Sequence, residues 1–411
     1  MTILSGARLV LADRMLDGGS LTLDAGHIVA IADRPIDGEP SVDCRGLTIV
    51  PGFVDAHIHG VDGVDTLDGP DAIARIAAVL PRRGVTAFCP TTVACAPDAL
   101  RHVLQQVRAA RIAPSPESAR VIGAHLESNF INPDFRGAQP AGCIRTWISA
   151  GQGAHQASSG DAYFVTADLR DVIDAFAPDI ATVTLAPEMD GGLALIDWLV
   201  QRRIRVSLGH SGADDAMTLE AVARGARQVT HLFNAMPPMH HRRPGLAGVA
   251  LQCPELVVEL ICDGVHVHPT MVKVAVAAKG APRVLAVSDA TAAAGLPAGA
   301  SARLGDNPIV AGDRCAHLAD GTIAGSTTTL DAAFTRLTRD MGIPLVDAAQ
   351  LCSTAPAREL GLRDCGRLAE GAAADLAVLD AGGRIVSTYI AGRLVYTAPG
   401  TSGNSRQSAS V

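Results

Sequence analysis

The chain has 411 residues, 48% of them hydrophobic and 18% charged, with 41 glycines. That length suits one large barrel or two to three ordinary domains, and the composition argues against a fibrous or broadly disordered protein. A formal net charge of -8 and only 3% aromatic residues argue against a nucleic-acid surface, which needs clustered Lys and Arg and stacking rings.

From the N-terminus, Met1 to Arg8 shows no charged leader with a long apolar core, and no run approaches ~18 uninterrupted apolar residues. A soluble, cytoplasmic protein without membrane contact is expected. The nine cysteines are scattered without a C-x-x-C pair and read as small buried hydrophobes in a reducing compartment. Short alternating segments at Ile3–Leu11, Ser20–Leu23, His27–Ala32 and Leu47–Val50 form a β layer, and a second set returns at Asp375–Leu379, Ile385–Ile390 and Leu394–Tyr396. The two ends, residues 1–50 and 366–400, are expected to build one small β-sandwich domain. The Ser-rich stretch 401–411 is expected to be a disordered tail.

Between them, residues 51–365 alternate apolar runs with helical stretches, the pattern of parallel strands joined by crossover helices. Eight strands are predicted: Ile49–Asp55, Val85–Pro90, Arg120–Leu126, Thr182–Leu185, Arg205–Leu208, Gln228–Leu232, Val257–Cys262 and Val284–Val287. Helices are predicted at Asp71–Leu80, Pro97–Arg111, Leu169–Phe176, Leu193–Arg203, Asp214–Arg224 and Thr270–Ala278. The economical fold is α/β, a (β/α)8 TIM-type barrel. The Gly- and Ser-rich stretch from Asn129 to Asp161 reads as a loop covering substrate, with His155 facing solvent and Gly151-Gln-Gly153 a turn.

Barrels of this kind place their chemistry at the C-terminal ends of the strands. Those ends read His57 and His59, Thr91-Thr92, His125-Leu-Glu127, Ala186-Pro-Glu188, Gly209-His-Ser211, His231 with Asn234, Asp263 with His266, and Ser288-Asp-Ala290. His57 and His59 share a strand face, which suggests a metal, although a frayed polar strand end is the plain alternative. Glu127, His210 and His231 form a His/His/Glu set of the kind that holds catalytic zinc with one open position. His125 shares a face with Glu127 and is the competing ligand, with a structural role the simpler reading. Asp289 suits a general base, against an N-cap for the next turn.

Taken together, Pro51-Gly-Phe-Val-Asp-Ala-His-Ile-His-Gly60, His125-Leu-Glu127, Leu185-Ala-Pro-Glu188, Gly209-His-Ser211, Thr230-His-Leu-Phe-Asn-Ala-Met236, Pro244-Gly-Leu-Ala-Gly248, Asp263-Gly-Val-His266, Ser288-Asp-Ala290 and Gly325-Ser326 resemble the N-acetylglucosamine-6-phosphate deacetylase family of the amidohydrolase superfamily. The resemblance runs from about residue 3 to 398. It implies a hydrolase dependent on a divalent metal, Zn2+ foremost, that removes acetate from an N-acetylated amino-sugar phosphate. It implies Glu127, His210 and His231 as metal ligands, Asp289 as general base and acid, and His57 and His59 as ligands of a second ion bridged by Glu127. Ala138, Gln139, Asn234, Ala235, Arg242, His266 and the segment Ile323, Ala324 and Gly325 fall where the family holds substrate. It further implies a homodimer, since the family completes its phosphate site across two subunits.

Two departures from the family stand out. Ser128-Asn129 stands where Gly-Pro is usual, and Gln139 where a histidine is expected near the scissile carbonyl; Gln can donate a hydrogen bond but carries no charge. A hydrolase of another N-acyl amino sugar, an N-acyl amino acid or a cyclic amide is the alternative, and it would keep the metal set without needing Arg242 and His266.

Overall fold

The computed structural model describes residues 1–36, 38, 41–147 and 164–400. The expectations for His155, for Gly151-Gln-Gly153, for the tail 401–411 and for most of the covering loop lie outside the described residues.

Eight parallel strands run in the barrel: Phe53–Ile58, Val85–Thr92, Ala124–Glu127, Ile180–Leu185, Arg205–Leu208, Gln228–Val229, Val257–Ile261 and Val284–Val287. Each pairs with the next, and a bridge from Ile58 to Ala290 brings the last strand end back to the first. Nearly every residue of these strands is buried, as expected when helices cover one face and packed side chains fill the other. The helix Pro97–Ile112 illustrates the outer layer: Leu100, Val103, Leu104 and Val107 are buried at i, i+3, i+4 and i+7, and Pro97 opens its first turn.

Three strand boundaries differ from expectation for local reasons. The apolar run Ile49–Asp55 is two strands: Thr48–Pro51 pairs with Leu376–Leu379 in the end sheet, while Phe53–Ile58 enters the barrel. Both halves are buried, so periodicity cannot see the switch; it falls at Gly52, where a Cβ would run into Thr86. The run Arg120–Leu126 breaks at Ile122-Gly123. The run Gln228–Leu232 stops at Val229, because His231, Phe233 and Ala235 all adopt positive φ.

Both chain ends meet in one eight-stranded sheet, ordered Arg393–Thr397, Ile385–Ile390, Leu376–Leu379, Thr48–Pro51, Thr2–Val10, Met15–Asp24 and His27–Ala32, with Ser41–Asp43 beside Thr2–Val10. It carries its own core of Leu4, Leu9, Leu21, Leu23, Ile28, Ile49, Leu376 and Val378. An ion pair between Arg120 and the buried Asp375 ties it to the barrel.

A four-stranded antiparallel sheet, Ser301–Leu304, Asn307–Ala311, Cys315–His317 and Ile323–Ser326, follows the last barrel strand and was not legible in the sequence. Leu304, Ile309, Ala311 and Ala324 pack with Val93 and Ala293 from the loops beyond the strand ends, so this sheet lies against the C-terminal end of the barrel. All nine cysteines are free, eight of them buried. Among the described residues no helix is long and apolar enough to cross a membrane.

Candidate active site

Six side chains from five strand ends converge. His57 is on the first barrel strand and His59 just beyond it; Glu127 ends the third; His210, His231 and Asp289 follow the fifth, sixth and eighth. All six are buried. Glu127 Oε1 lies 2.8 Å from His231 Nε2 and 3.1 Å from His210 Nε2, and these two nitrogens are 3.1 Å apart. On the other side, Glu127 Oε2 lies 3.3 Å from His59 Nε2, which is 3.1 Å from His57 Nε2. Asp289 Oδ1 is 3.3 Å from both of those nitrogens.

Such spacing is what ligands around a cation show: zinc bonds of 2.0–2.1 Å in a tetrahedron set neighbouring donors ~3.3 Å apart. The donor set of imidazole and carboxylate is also the one that suits zinc. Among these six, two groups result, Glu127 with His210 and His231, and His57 with His59 and Asp289; a third, His57 with His125 and Glu259, lies beside them. Glu127 touches both, one oxygen toward each.

The electrostatics agree. Burial disfavours a charge on His59, yet Asp289 and Glu127 outweigh it and raise the pKa to about 10. Against the same burial, Glu127 raises His231 to about 9. Burial would raise Asp289, but the His57 and His59 rings hold it at about 2, so it is ionised at neutral pH. A pocket that draws protons onto its imidazoles with carboxylates attracts a divalent cation for the same reason.

The far nitrogens of the imidazoles fix two of the rings. His210 Nδ1 donates to Phe135 O at 2.8 Å, and His57 Nδ1 donates to Glu259 Oε2 at 2.9 Å, so each ring, when neutral, presents its Nε2 lone pair to the cluster. His210, His231 and Asp289 hold φ of 47°, 29° and 46°, a left-handed backbone that costs roughly 1–3 kcal/mol at a non-glycine residue and concentrates at working sites. His125 stays outside the cluster. Its Nε2 meets Thr184 Oγ1 at 2.8 Å, and burial with the adjacent His57 pushes its pKa down to about 3, which makes it a neutral structural side chain.

The two departures from the family take different parts. Ser128 Oγ donates to Thr184 O at 2.5 Å, and Asn129 Nδ2 donates to Cys95 O and Cys143 O at 2.8 and 2.7 Å; both are buried scaffolding. Gln139 reaches the cluster: its Nε2 donates to Glu127 Oε2, while its Oε1 accepts the Ala94 N–H at 2.8 Å, which fixes the direction of the amide.

The expected substrate residues are placed unevenly. Asn234 folds back on His231 O at 3.1 Å, and Ala235 accepts the Ser211 N–H at 3.2 Å. His266 Nδ1 donates to Asp263 Oδ2 at 2.6 Å, leaving its Nε2 free to meet a ligand. Gly325 has φ 70°, and a Cβ there would sit 2.9 Å from Asp289 O, so this stretch of the four-stranded sheet runs tight against the Asp289 backbone. Ala138 O is held by Asn307 Nδ2 at 2.9 Å, and Ile323 is partly exposed on the same small sheet beside buried Ala324. Arg242 is exposed in the turn His240–Arg243, and among the described residues no ion pair joins it to the cluster.

Sequence reasoning missed Glu259, fully buried beneath His57 in the strand Val257–Ile261. Its signal was one carboxylate inside an otherwise apolar strand. The role of Glu188 as a clamp was missed too: it accepts the Asn132 Nδ2, Ser211 Oγ and Gly212 N groups at 2.6 to 2.9 Å and so holds the turn that carries His210.

Comparison with known proteins follows the same lines. A sequence model of the Amidohydrolase family matches residues 48–395. The chain is 36% identical over 409 residues to N-acetylglucosamine-6-phosphate deacetylase of Rattus norvegicus, covering 96% of this chain and 94% of that one. It is 32% identical to N-acetylgalactosamine-6-phosphate deacetylase of Escherichia coli O157:H7, covering 95% and 98%. Among solved structures, a variant of N-acetyl-D-glucosamine-6-phosphate deacetylase from Mycobacterium smegmatis in complex with N-acetyl-D-glucosamine-6-phosphate superposes with a TM-score of 0.86 at 31% identity, covering 96% of this chain and 99% of that one.

Proposed function

The chain belongs to the N-acetylglucosamine-6-phosphate deacetylase family of the amidohydrolases, and from that premise we propose that it hydrolyses the acetamide of N-acetylglucosamine 6-phosphate to acetate and glucosamine 6-phosphate. One observation carries the chemistry: four imidazole Nε2 atoms and the Glu127 and Asp289 carboxylates converge at the C-terminal end of the barrel.

Glu127, His210 and His231 would hold one divalent ion, with His57 and His59 opening a second position across Glu127. Bound there, such an ion, Zn2+ foremost, supplies Lewis acidity toward the amide carbonyl and lowers the pKa of water toward ~7. Asp289, ionised and buried beside both positions, takes a proton from the attacking water at a carboxylate oxygen. It returns that proton to the amide nitrogen as the C–N bond breaks, so acetate and an amine leave. Gln139 steadies Glu127 through its amide N–H. The His266 ring, oriented by Asp263, and Asn234 with Ala235 offer hydrogen bonds to the sugar. The exposed guanidinium of Arg242, free of ion pairs in its own chain among the described residues, has the forked geometry that suits phosphate. This supports a homodimer in which a second copy completes the phosphate pocket, and a cytoplasmic place for the enzyme where phosphorylated sugars are found.

The Escherichia coli relative, which acts on the galacto epimer, favours a second reading in which this chain prefers N-acetylgalactosamine 6-phosphate. Acetate release by zinc-loaded protein, measured on both 6-phosphates and both free sugars, tests these readings together. Faster turnover of the gluco 6-phosphate is expected; faster turnover of the galacto epimer favours the second reading, and no preference for phosphate overturns both.

A further inference from the structure

We propose that Glu259 is the positioning residue that turns His57 into a metal ligand, and so decides whether this site takes two ions or one. The inference rests on the reading of the imidazole and carboxylate cluster as a metal site, and it concerns a residue that lies behind His57, on the Nδ1 side of the ring.

The strand Val257–Ile261 is otherwise apolar and all of it is buried, so a carboxylate within it loses its hydration and must be satisfied entirely by protein donors. Each of its oxygens is engaged. Oε1 accepts from Gln228 Nε2 at 2.6 Å; Oε2 accepts from His57 Nδ1 at 2.9 Å and, more weakly, from the His231 N–H at 3.3 Å. An ionised carboxylate can only accept, so a His57 proton is held on Nδ1, and whenever the ring is neutral its lone pair is on Nε2. That lone pair faces His59 Nε2 at 3.1 Å and Asp289 Oδ1 at 3.3 Å. Among the described residues, no other imidazole of the cluster has its far nitrogen on a carboxylate: His210 meets a carbonyl, and His59 and His231 bury theirs without a partner. A carboxylate behind a histidine both fixes the tautomer and strengthens the ring as a ligand. The strand therefore carries its charge at the one place where it prepares the second ion position.

Glu259→Leu tests this because it keeps the bulk of the side chain and removes the acceptor behind the ring. Glu259→Gln would not, since its carbonyl can still face His57 Nδ1 and the His231 N–H while Gln228 turns its own amide to accept from the new NH2. With leucine in place, no acceptor at residue 259 holds the His57 proton on Nδ1 and no charge strengthens the ring as a ligand. Chains loaded with Zn2+ at a fixed free concentration are analysed for zinc per chain, and the weaker ion is titrated with a chelator. Two ions are expected in the wild-type chain and one in Glu259→Leu, with the affinity for the second ion lowered 10- to 100-fold and that for the first within threefold. His57→Gln should lose the same ion, and the double variant no more than either.

Two ions retained in Glu259→Leu at unchanged affinity, or a single ion in the wild-type chain, would overturn the proposal. Should Glu259→Leu fail to fold, nitrogen-15 histidine spectra of the wild-type zinc-loaded protein decide: Nδ1–H with a metal-shifted Nε2 at His57 supports the role, and the reverse tautomer refutes it. Acetate release does not enter the readout, so loss of the deacetylase reading leaves the ion count intact, whereas a wild-type chain that binds no zinc refutes both.

Discussion

Replacing Asp289 with Asn removes one negative charge and almost no volume. In the wild-type chain the carboxylate is buried, held ionised by the His57 and His59 rings, and placed 3.3 Å from each of their Nε2 atoms. Asn occupies the same place but takes up no proton at working pH, so the base is lost while the surrounding packing survives. A positioned general base is worth about 10²- to 10⁴-fold in rate, or about 3 to 5 kcal/mol of barrier. Asp289→Asn should lower kcat for acetate release by that factor. Glu127, His210 and His231 do not depend on Asp289 for their mutual contacts, so at least one ion per chain should remain by elemental analysis. The pH profile adds a second check. In the metal-free chain the His57 and His59 rings hold the Asp289 carboxyl at about 2, and a cation beside it acts in the same direction, so its protonation places no acid limb between pH 5 and 8. Any decline there reports protons competing with metal for the histidines. Turnover within threefold of wild type, with metal retained, would remove Asp289 from its role.

Arg242→Ala should raise KM for a phosphorylated amino sugar by 10-fold or more and leave the free sugar unaffected; equal effects on both would show that Arg242 does not read phosphate. Gln139→Leu removes the donor to Glu127 Oε2 and leaves the Ala94 N–H unpaired, so metal affinity in a chelator titration should fall 10- to 100-fold; an unchanged affinity would mean that Glu127 is fixed without it. The metal-free protein should lose stability in alkali. His59 and His231 have folded pKa values of about 10 and about 9 against an ordinary 6.5, so their stabilising protons are fully in place below pH 6.5 and are lost as pH rises through 9 to 10. The urea midpoint should therefore drop from pH 7 to 9.5 for metal-free protein but hold for the zinc-loaded form, whose imidazoles are already neutral ligands; parallel declines in the two forms would contradict this.

The barrel was legible because its strands are short apolar runs between helical stretches, and Arg205–Leu208 and Val284–Val287 have the bounds that the sequence suggests. Legibility failed where burial is continuous. The run through Ile49 and Val54 passes from one sheet to another without changing character, and only the close approach of Gly52 to Thr86 marks the switch. The antiparallel strands from Ser301 to Ser326 escaped notice because they are short and mix exposed with buried positions, so neither alternation nor an apolar run stands out. At the site, the rule that a barrel gathers its strand ends converts residues scattered from His57 to Asp289 into one cluster, which is why the six central side chains could be named in advance. Glu259 could not. Its partner His57 is 202 positions away, and nothing local distinguishes a buried functional carboxylate from a tolerated one.

The same cluster explains why the site should be least content when metal-free. His210, His231 and Asp289 each hold a strained backbone, and Glu127, Asp289 and Glu259 bring three carboxylates into a space that excludes water. Among the described residues, protons on the imidazoles offset that charge. They do so at the cost of ligand lone pairs, so protonation and metal binding are alternatives at the same nitrogens. A cation removes the conflict, because it neutralises the carboxylates while leaving every Nε2 unprotonated. Glu259 and Phe135 O then act in the same direction as the ion: each takes a proton on the far side of a ring and thereby keeps the near side open. The strand geometry, the tautomers and the charge balance are mutually consistent with the cation in place, and without it the protons that balance the charge occupy the ligand positions.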